Sequence, residues 1–158
     1  MSCWCGYQTN YWNDEVIFLN EVLVLCLMIR NVTVNELEKV MALEKEAWPE
    51  GTQASEENMR NRLEVFPEGV IGAYEGDTLI GLTTSMRTNS APSEVRSWDE
   101  ITGDGSISTH NPGGKILYIV SVGVSPRFQG RGIGKKLVKA QERLASSLSL
   151  NSLVLGSR

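Results

Sequence analysis

One segment of this chain joins a strand, a glycine-rich turn and the start of a helix, and it reads SVGVSPRFQGRGIGK over Ser121–Lys135. Apolar residues predict a strand over Ile116–Val124, and apolar spacing after the turn predicts an amphipathic helix over Ile133–Leu148. The first amides of a helix have no partner inside it, and they lie at the positive end of the helix dipole. Because glycines keep side chains away from these amides, the turn is suited to bind phosphate oxygens.

Two common phosphate-binding motifs do not fit this turn. A P-loop would need its first glycine at Gln129 and a hydroxyl residue at Lys136. A dinucleotide-binding Gly-x-Gly-x-x-Gly that begins at Gly130 would need a glycine at Lys135. The pattern that remains is Gln-x-x-Gly-x-Gly, over Gln129–Gly134.

The rest of the chain predicts helices and strands in alternation. The predicted elements are a strand over Val22–Val32, a helix from Val34 that is stopped by Pro49, a helix from Ser55 to Phe66, a hairpin of Val70–Tyr74 and Thr78–Met86, the strand and helix named above, and a strand over Ser152–Leu155. The order β-α-α-β-β-β-α-β predicts an α/β (α+β) fold with a mixed central sheet and helices on both faces.

Composition excludes several classes of protein. The chain has 158 residues, a net charge of −4 and a pI near 5.1, which argue against a nucleic-acid binder. Its three cysteines, Cys3, Cys5 and Cys26, make no disulfide framework and favour reduced thiols in the cytoplasm. The apolar stretch Val16–Ile29 is too short to span a membrane and contains polar residues, so no membrane partner is expected.

The segment Ser121–Lys135, together with its setting between a strand and a helix, resembles the central motif of the GNAT superfamily of N-acetyltransferases. In that family a strand ending in Val-x-Val is followed by Arg/Gln-x-x-Gly-x-Gly/Ala and then by a long helix. The resemblance extends more loosely from Val24 to Leu155. It implies a GNAT-like fold and an enzyme that moves an acetyl group from acetyl-CoA to a primary amine. The amine would attack directly while both substrates are bound, and no metal would take part.

The resemblance also implies roles for the residues of the motif. Main-chain groups of the strand end would pair with the pantetheine arm, and Val122 or Gly123 would donate to the tetrahedral oxyanion. Amides from Gly130 to Lys135 would hold the pyrophosphate, and Arg127, Arg131 or Lys135 would meet phosphate oxygens. The expected cofactor-binding residues are Val122, Gly123, Val124, Gln129, Gly130, Arg131, Gly132, Ile133, Gly134 and Lys135.

Three residues are candidates for acid–base chemistry. Tyr118 and Ser121 lie on the strand that approaches the acetyl group, and His110 lies in the long polar connection Arg87–Lys115. Core packing is the alternative role of Tyr118, and a place in a turn is the alternative role of His110. Trp98, in the same connection, is expected to anchor it.

The chain departs from the family pattern at its ends. It stops at Arg158, before the final helix and hairpin of the family, so the domain over residues 22–158 is expected to be incomplete at its C-terminal end. Residues 1–21 are expected to form a loosely packed or disordered extension. The alternatives to an enzyme are a non-catalytic acyl-CoA-binding module, an inactive fragment, or a different nucleotide-phosphate binder. An unfinished sheet edge would invite a strand from a partner, such as the second copy in a homodimer.

Overall fold

A computed structural model describes residues 12–13 (main chain only), 26–90 and 97–155 of this chain. The strands are β1 (Trp12–Asn13), β2 (Leu27–Asn31), β3 (Ile71–Glu75), β4 (Thr78–Thr88), β5 (Ile116–Val124) and β6 (Ser152–Leu155). The α-helices are α1 (Leu37–Ala47), α2 (Glu56–Val65), α3 (Trp98–Thr102) and α4 (Ile133–Ser147). Short 3₁₀ turns occupy Val34–Glu36, Pro67–Gly69 and Pro126–Phe128.

The strands form one six-stranded sheet in the order β1-β2-β3-β4-β5-β6. Neighbouring strands run antiparallel from β1 to β5, and β6 runs parallel to β5. A parallel pair needs a crossover connection, and α4 supplies it between β5 and β6. The sheet is therefore mixed, and the predicted fold class is confirmed.

Helices cover both faces of the sheet. Helices α1 and α2 pack on one face, where their buried residues Val40, Leu43, Met59 and Leu63 meet Tyr74 and Leu82 of the sheet. Helix α4 packs on the other face, where Ile133, Leu137 and Ala140 meet Ile71, Ala73 and Ile80. Burying one large aliphatic side chain stabilises a fold by about 1.5–3 kcal/mol, so these clusters fix where α1 and α4 stand relative to β5.

The ends of the helices follow the sequence signals. Thr33 N–H donates to Glu36 Oε2 at 3.1 Å, as the capping box predicts. Ser55 Oγ accepts from Asn58 N–H at 3.1 Å and begins α2. Within the described residues, no helix has the length and apolar character that a bilayer crossing needs.

Three parts of the chain differ from the predicted elements or lie outside the described residues. The predicted strand Val22–Val32 is described only from residue 26, and its strand runs over Leu27–Asn31. Of residues 1–21, only Trp12–Asn13 is described, as a strand paired with β2, and the prediction for the remainder lies outside the described residues. Helix α3 was not predicted; it interrupts the long connection after β4.

Helix α3 is short and depends on caps and packing. Ser97 Oγ accepts from Glu100 N–H, and Glu100 Oε2 accepts from Ser97 N–H, so a capping box closes its first turn. Five residues are too few to be stable in isolation, and Trp98 and Ile101 attach the helix to the apolar cluster around Met86 and Leu117.

The pairing of β6 with β5 ends where β5 has a β-bulge. The register between β4 and β5 shifts between Thr84, which faces Ser121, and Ser85, which faces Ile119, so Val120 is the extra residue. Strand β6 pairs only with Ile116–Ile119. In the described part of the chain, Val120–Val124 therefore has no strand on its outer edge, and this open edge leads directly into the glycine turn.

Candidate functional site

The open edge of β5 presents the main-chain groups of alternate residues. Ser125 N–H donates to Ile80 O at 2.9 Å, so Ser125 directs its N–H toward β4. Successive residues of a strand direct these groups to opposite sides, so Val122 and Val124 direct theirs to the open edge. A hydrogen bond supports this direction for Val124, because Gln129 Nε2 donates to Val124 O at 3.2 Å from outside the sheet.

The main-chain groups of Gly123 point the opposite way from those of its two neighbours. By the same alternation its main-chain groups face Leu82 of β4, with which it is paired. A Cβ on Gly123 would lie 3.0 Å from Trp48 Nε1 and 3.4 Å from Ala47 Cβ. Glycine at this position therefore lets the end of α1 approach β5 closely.

The glycine turn exposes the amides at the start of α4. Gly130 and Gly132 have φ of +78° and +74°, and a Cβ on either would meet nothing within 4 Å. Glycine is needed there for backbone conformation, and the space above it is open. Lys136 N–H donates to Gly132 O at 3.1 Å and begins the helical bonding. Among the described residues, the N–H groups of Ile133, Gly134 and Lys135 therefore precede the first helical hydrogen bond and have no acceptor within the helix.

Two cavities follow the open edge and share Val122 and Gly134. A cavity of about 500 Å³ lies over the glycine turn and is lined by Val122, Val124, Phe128, Gln129, Gly130, Gly132, Ile133 and Gly134. We call the other, of about 640 Å³, the central cleft; it is lined by Glu44, Trp48, Pro49, Thr52, Ala54, Arg62, Trp98, Val120, Ser121, Val122, Gly134, Lys135, Val138 and Leu155. A long ligand could pass from one cavity to the other along β5.

The polar groups of the central cleft come from α1, α2 and the bulge. Glu44 is only 6% exposed, and its Oε1 accepts from Ala54 N–H at 2.8 Å. Arg62 is 2% exposed and donates from Nη1 to Thr84 Oγ1 at 3.1 Å and to Ser121 Oγ at 3.4 Å. Two buried charged groups and the exposed Lys135 thus line a cleft whose wall is otherwise mostly apolar.

The basic residues of the turn are tied to acidic partners at the surface. Arg127 lies 3.2 Å from Glu46, and Arg131 lies 3.6 Å from Glu75. Both guanidinium groups also lie over the ring of Phe128. Exposed ion pairs of this kind are worth about 0–1 kcal/mol, so either arginine can exchange its carboxylate for a phosphate at little cost.

Of the three candidates for acid–base chemistry, the structure places Ser121 on the central cleft. Its Oγ lies 2.7 Å from Thr84 Oγ1. Tyr118 packs in the cluster around Met86 and Leu117, and burial raises the pKa of its phenol. His110 stacks on Phe66 with 4.7 Å between ring centroids, and its Nδ1 accepts from Arg87 N–H. Burial lowers the pKa of His110, and neither His110 nor Tyr118 lines the cleft.

Sequence reasoning missed Glu44 and Arg62, although both interrupt an apolar stripe. Glu44 falls where the apolar face of α1, marked by Leu37 and Val40, continues for another turn. Arg62 falls between Met59 and Phe66 on the buried face of α2. A charged residue at such a position is buried by its neighbours and needs polar partners, which makes it a signal for a site. In residues 26–90 and 97–155, no group of three His, Cys, Asp or Glu side chains could hold a metal ion.

Comparison with known proteins identifies the family. Residues 37–157 match the profile of the Acetyltransferase (GNAT) family. The chain belongs to the GNAT family. Members of this family transfer acyl groups from coenzyme A, and the resemblance seen in Ser121–Lys135 is confirmed at this level.

Three similar proteins place the GNAT domain among its relatives. The chain is 35% identical over 134 residues to "Probable hydrolase YhcX" of Bacillus subtilis (strain 168), covering 84% of this chain and 26% of that protein. It is 33% identical over 137 residues to "Uncharacterized N-acetyltransferase YkwB" of the same organism, covering 84% of this chain and 61% of that protein. Among solved structures, the GphF GNAT-like decarboxylase in complex with isobutyryl-CoA has a TM-score of 0.68 at 22% identity. The match covers 82% of this chain and 65% of the decarboxylase chain. At that identity the likeness shows the fold alone. The chain thus spans about a quarter and three-fifths of the two curated relatives.

Proposed function

We propose that this GNAT domain is an N-acetyltransferase that moves an acetyl group from acetyl-CoA to a primary amine in a ternary complex. The observation that carries the proposal is the pair of cavities that share Val122 and Gly134. They connect the free amides of α4 with the bulge in β5. Coenzyme A has a matching shape, with a diphosphate at one end of an extended arm and a thioester at the other.

The diphosphate binds at the glycine turn in this proposal. The amides of Gly130 and of Gly132–Lys135 face it, and the dipole of the 15-residue helix α4 favours its negative charge. Ile133 is buried and anchors the helix below, while Gln129 closes the rim through Val124 O. Arg131 is placed to leave Glu75 for a phosphate, and Lys135 faces the central cleft.

The pantetheine arm lies along the open edge of β5. Val122 O and Val124 N–H are the main-chain groups that it meets, in the manner of an added strand, since Val124 O already accepts from Gln129. Gly123 contributes by letting Trp48 stand close to the strand, not by its own amide. The thioester then lies near the bulge, where Val122 N–H is the donor that stabilises the oxyanion.

The acceptor enters from the other side of the central cleft, between Trp48 and Trp98. Glu44 is the carboxylate on that side, and we assign it the proton of the incoming ammonium. The neutral nitrogen attacks the carbonyl carbon, the C–S bond breaks, and the thiolate of coenzyme A leaves and takes up the second proton, which the nitrogen sheds as the amide forms. Ser121, held by Arg62, stands beside the reacting carbonyl.

The test is an assay of thiol release from acetyl-CoA with a panel of small and peptide amines, with mass spectrometry of the acetylated product. We expect product only when both substrates are present, and no loss of rate with a metal chelator. Binding of acetyl-CoA without product from any amine would support an acyl-CoA-binding module instead. Absence of acetyl-CoA binding would contradict the proposal altogether.

A further inference from the structure

We propose that Trp98 is a positioning residue for acyl transfer, because its indole N–H holds the bulge of β5 in the shape that aims Val122 N–H at the thioester. The inference rests on the proposed function. It assigns the unpredicted helix α3, which carries Trp98, a task in the reaction that goes beyond anchoring a loop.

The contact that carries the inference is a hydrogen bond from Trp98 Nε1 to Val120 O, at 3.1 Å. Val120 is the extra residue of the bulge, so its carbonyl does not follow the regular ladder with β4. The peptide that contains this carbonyl is planar and trans, so fixing its oxygen also fixes the direction of Ser121 N–H. The next peptide carries Val122 N–H. Holding Val120 O therefore limits how far the donor to the oxyanion can turn.

The main chain of Trp98 is itself held in place. Thr102 Oγ1 donates to Trp98 O at 2.8 Å and accepts from Gly105 N–H at 2.9 Å. Gly105 has φ of +79°, and a Cβ there would lie 2.7 Å from Trp98 Cη2. The turn after α3 thus adopts a backbone that favours glycine and leaves room for the indole.

Arg62 ties the same turn to the bulge along a second path. Its Nε donates to Gly105 O at 2.8 Å, and its Nη1 reaches the hydroxyl groups of Thr84 and Ser121, the residue pair next to the bulge. The connection between β4 and β5 therefore holds the bulge directly through Val120 O and, by way of Arg62, through Ser121 Oγ. Thr83 Oγ1 of β4 also donates to Ser121 O at 3.1 Å, so the Trp98 bond is the contact that fixes the peptide before it.

The first variant removes the indole N–H and keeps the bicyclic ring: Trp98 is replaced by β-(3-benzothienyl)alanine, an isostere without the N–H. A second variant, Trp98→Phe, removes the N–H with a smaller ring. We expect kcat to fall roughly tenfold, a fraction of the hundredfold or more that losing an oxyanion donor outright costs, with little change in the Kd of acetyl-CoA. Ser108→Ala is the matched control, because its exposed side chain lies in the same connection but, among the described residues, bonds to neither Trp98 nor β5, and its kcat should stay near that of the wild type.

Infrared spectroscopy measures the hydrogen bond to the thioester carbonyl, which a general destabilisation of α3 would not change in a specific way. The ¹³C-labelled thioester carbonyl of bound acetyl-CoA should absorb at lower frequency than in water when Val122 N–H donates to it. In the isostere the band should move back toward its value in solution. An unmoved band with an unchanged kcat would overturn the inference, and so would an equal loss of kcat in Ser108→Ala.

The same measurements separate this inference from the proposed function. If the wild type fails to bind acetyl-CoA or to acetylate any amine, the proposed function fails. If the wild type is active and its bound carbonyl is shifted, but the isostere matches it in both respects, only the role of Trp98 fails. A variant that is folded by circular dichroism, binds acetyl-CoA and loses kcat with a relaxed carbonyl band supports the role.

Discussion

Replacing Gly132 with aspartate places a carboxylate at the N-cap of α4, where we expect the coenzyme diphosphate to bind. A side chain has room there, since a Cβ meets nothing within 4 Å. The positive φ of +74° strains any residue other than glycine, so the matched control is Gly132→Asn, which has the same shape and no charge. The difference between the two variants isolates the charge.

The expected magnitude follows from Coulomb's law. Two unit charges 4 Å apart repel by about 1 kcal/mol in water and about 4 kcal/mol at an effective dielectric constant near 20. Gly132 is exposed, so solvent weakens the effect, but the diphosphate brings more than one charge. We take a repulsion of about 3 kcal/mol, so the Kd of Gly132→Asp for acetyl-CoA should be roughly 150-fold higher than that of Gly132→Asn.

Isothermal titration calorimetry with acetyl-CoA measures this difference, and thermal unfolding checks that both variants fold. The gap between the variants should narrow at high salt, because the interacting charges are near the surface. Affinities for Gly132→Asp and Gly132→Asn that both equal the affinity of the wild type would refute the placement of the diphosphate. A loss in both variants of similar size would show that backbone strain, not charge, controls binding.

Four further results are expected. Glu44→Gln keeps an acceptor for Ala54 N–H but removes the base, so kcat should fall roughly 100-fold with Kd for acetyl-CoA unchanged, as steady-state kinetics would show. Hydrogen bonding by Arg30 holds the pKa of Glu36 at about 2, down from 4.5, so this stabilisation is present above pH 4.5 and is lost as pH falls toward 2; Glu36→Gln should flatten that part of an acid-unfolding curve. Burial lowers the pKa of His110, so the folded state resists its protonation and the melting temperature should drop as pH falls below 6.5, less so in His110→Asn. Deleting residues 1–20 should leave the affinity for acetyl-CoA unchanged, because β1 lies at the far edge of the sheet from β5; a large loss on calorimetry would contradict this.

Much of the fold around the site could be predicted from local sequence. The strands β5 and β6 occupy Ile116–Val124 and Ser152–Leu155, as predicted, because polar residues bound each apolar run. Helix α4 begins at Ile133, as its apolar spacing and the preceding glycines indicate. Helix α3 could not be predicted with the same ease, since its five residues have no full period and depend on contacts with β5.

The contents of the central cleft depend on tertiary contacts. Periodicity predicts that Tyr118 packs in the core, and it does. The bulge at Val120 then resets the alternation of side chains, so counting by twos from Tyr118 does not show which face Ser121 occupies. Glu44 and Arg62 could be recognised as charges on apolar faces, but their meeting in the wall of the central cleft depends on how α1 and α2 pack.

The central claim is that main-chain amides at the start of α4 and on the open edge of β5 bind coenzyme A. An NMR titration of the ¹⁵N-labelled protein with CoA tests it most directly. The amide resonances of Gly130, Gly132, Gly134, Val122 and Val124 should show the largest changes on binding. Saturable CoA binding that leaves these five resonances in place while others move would contradict the account.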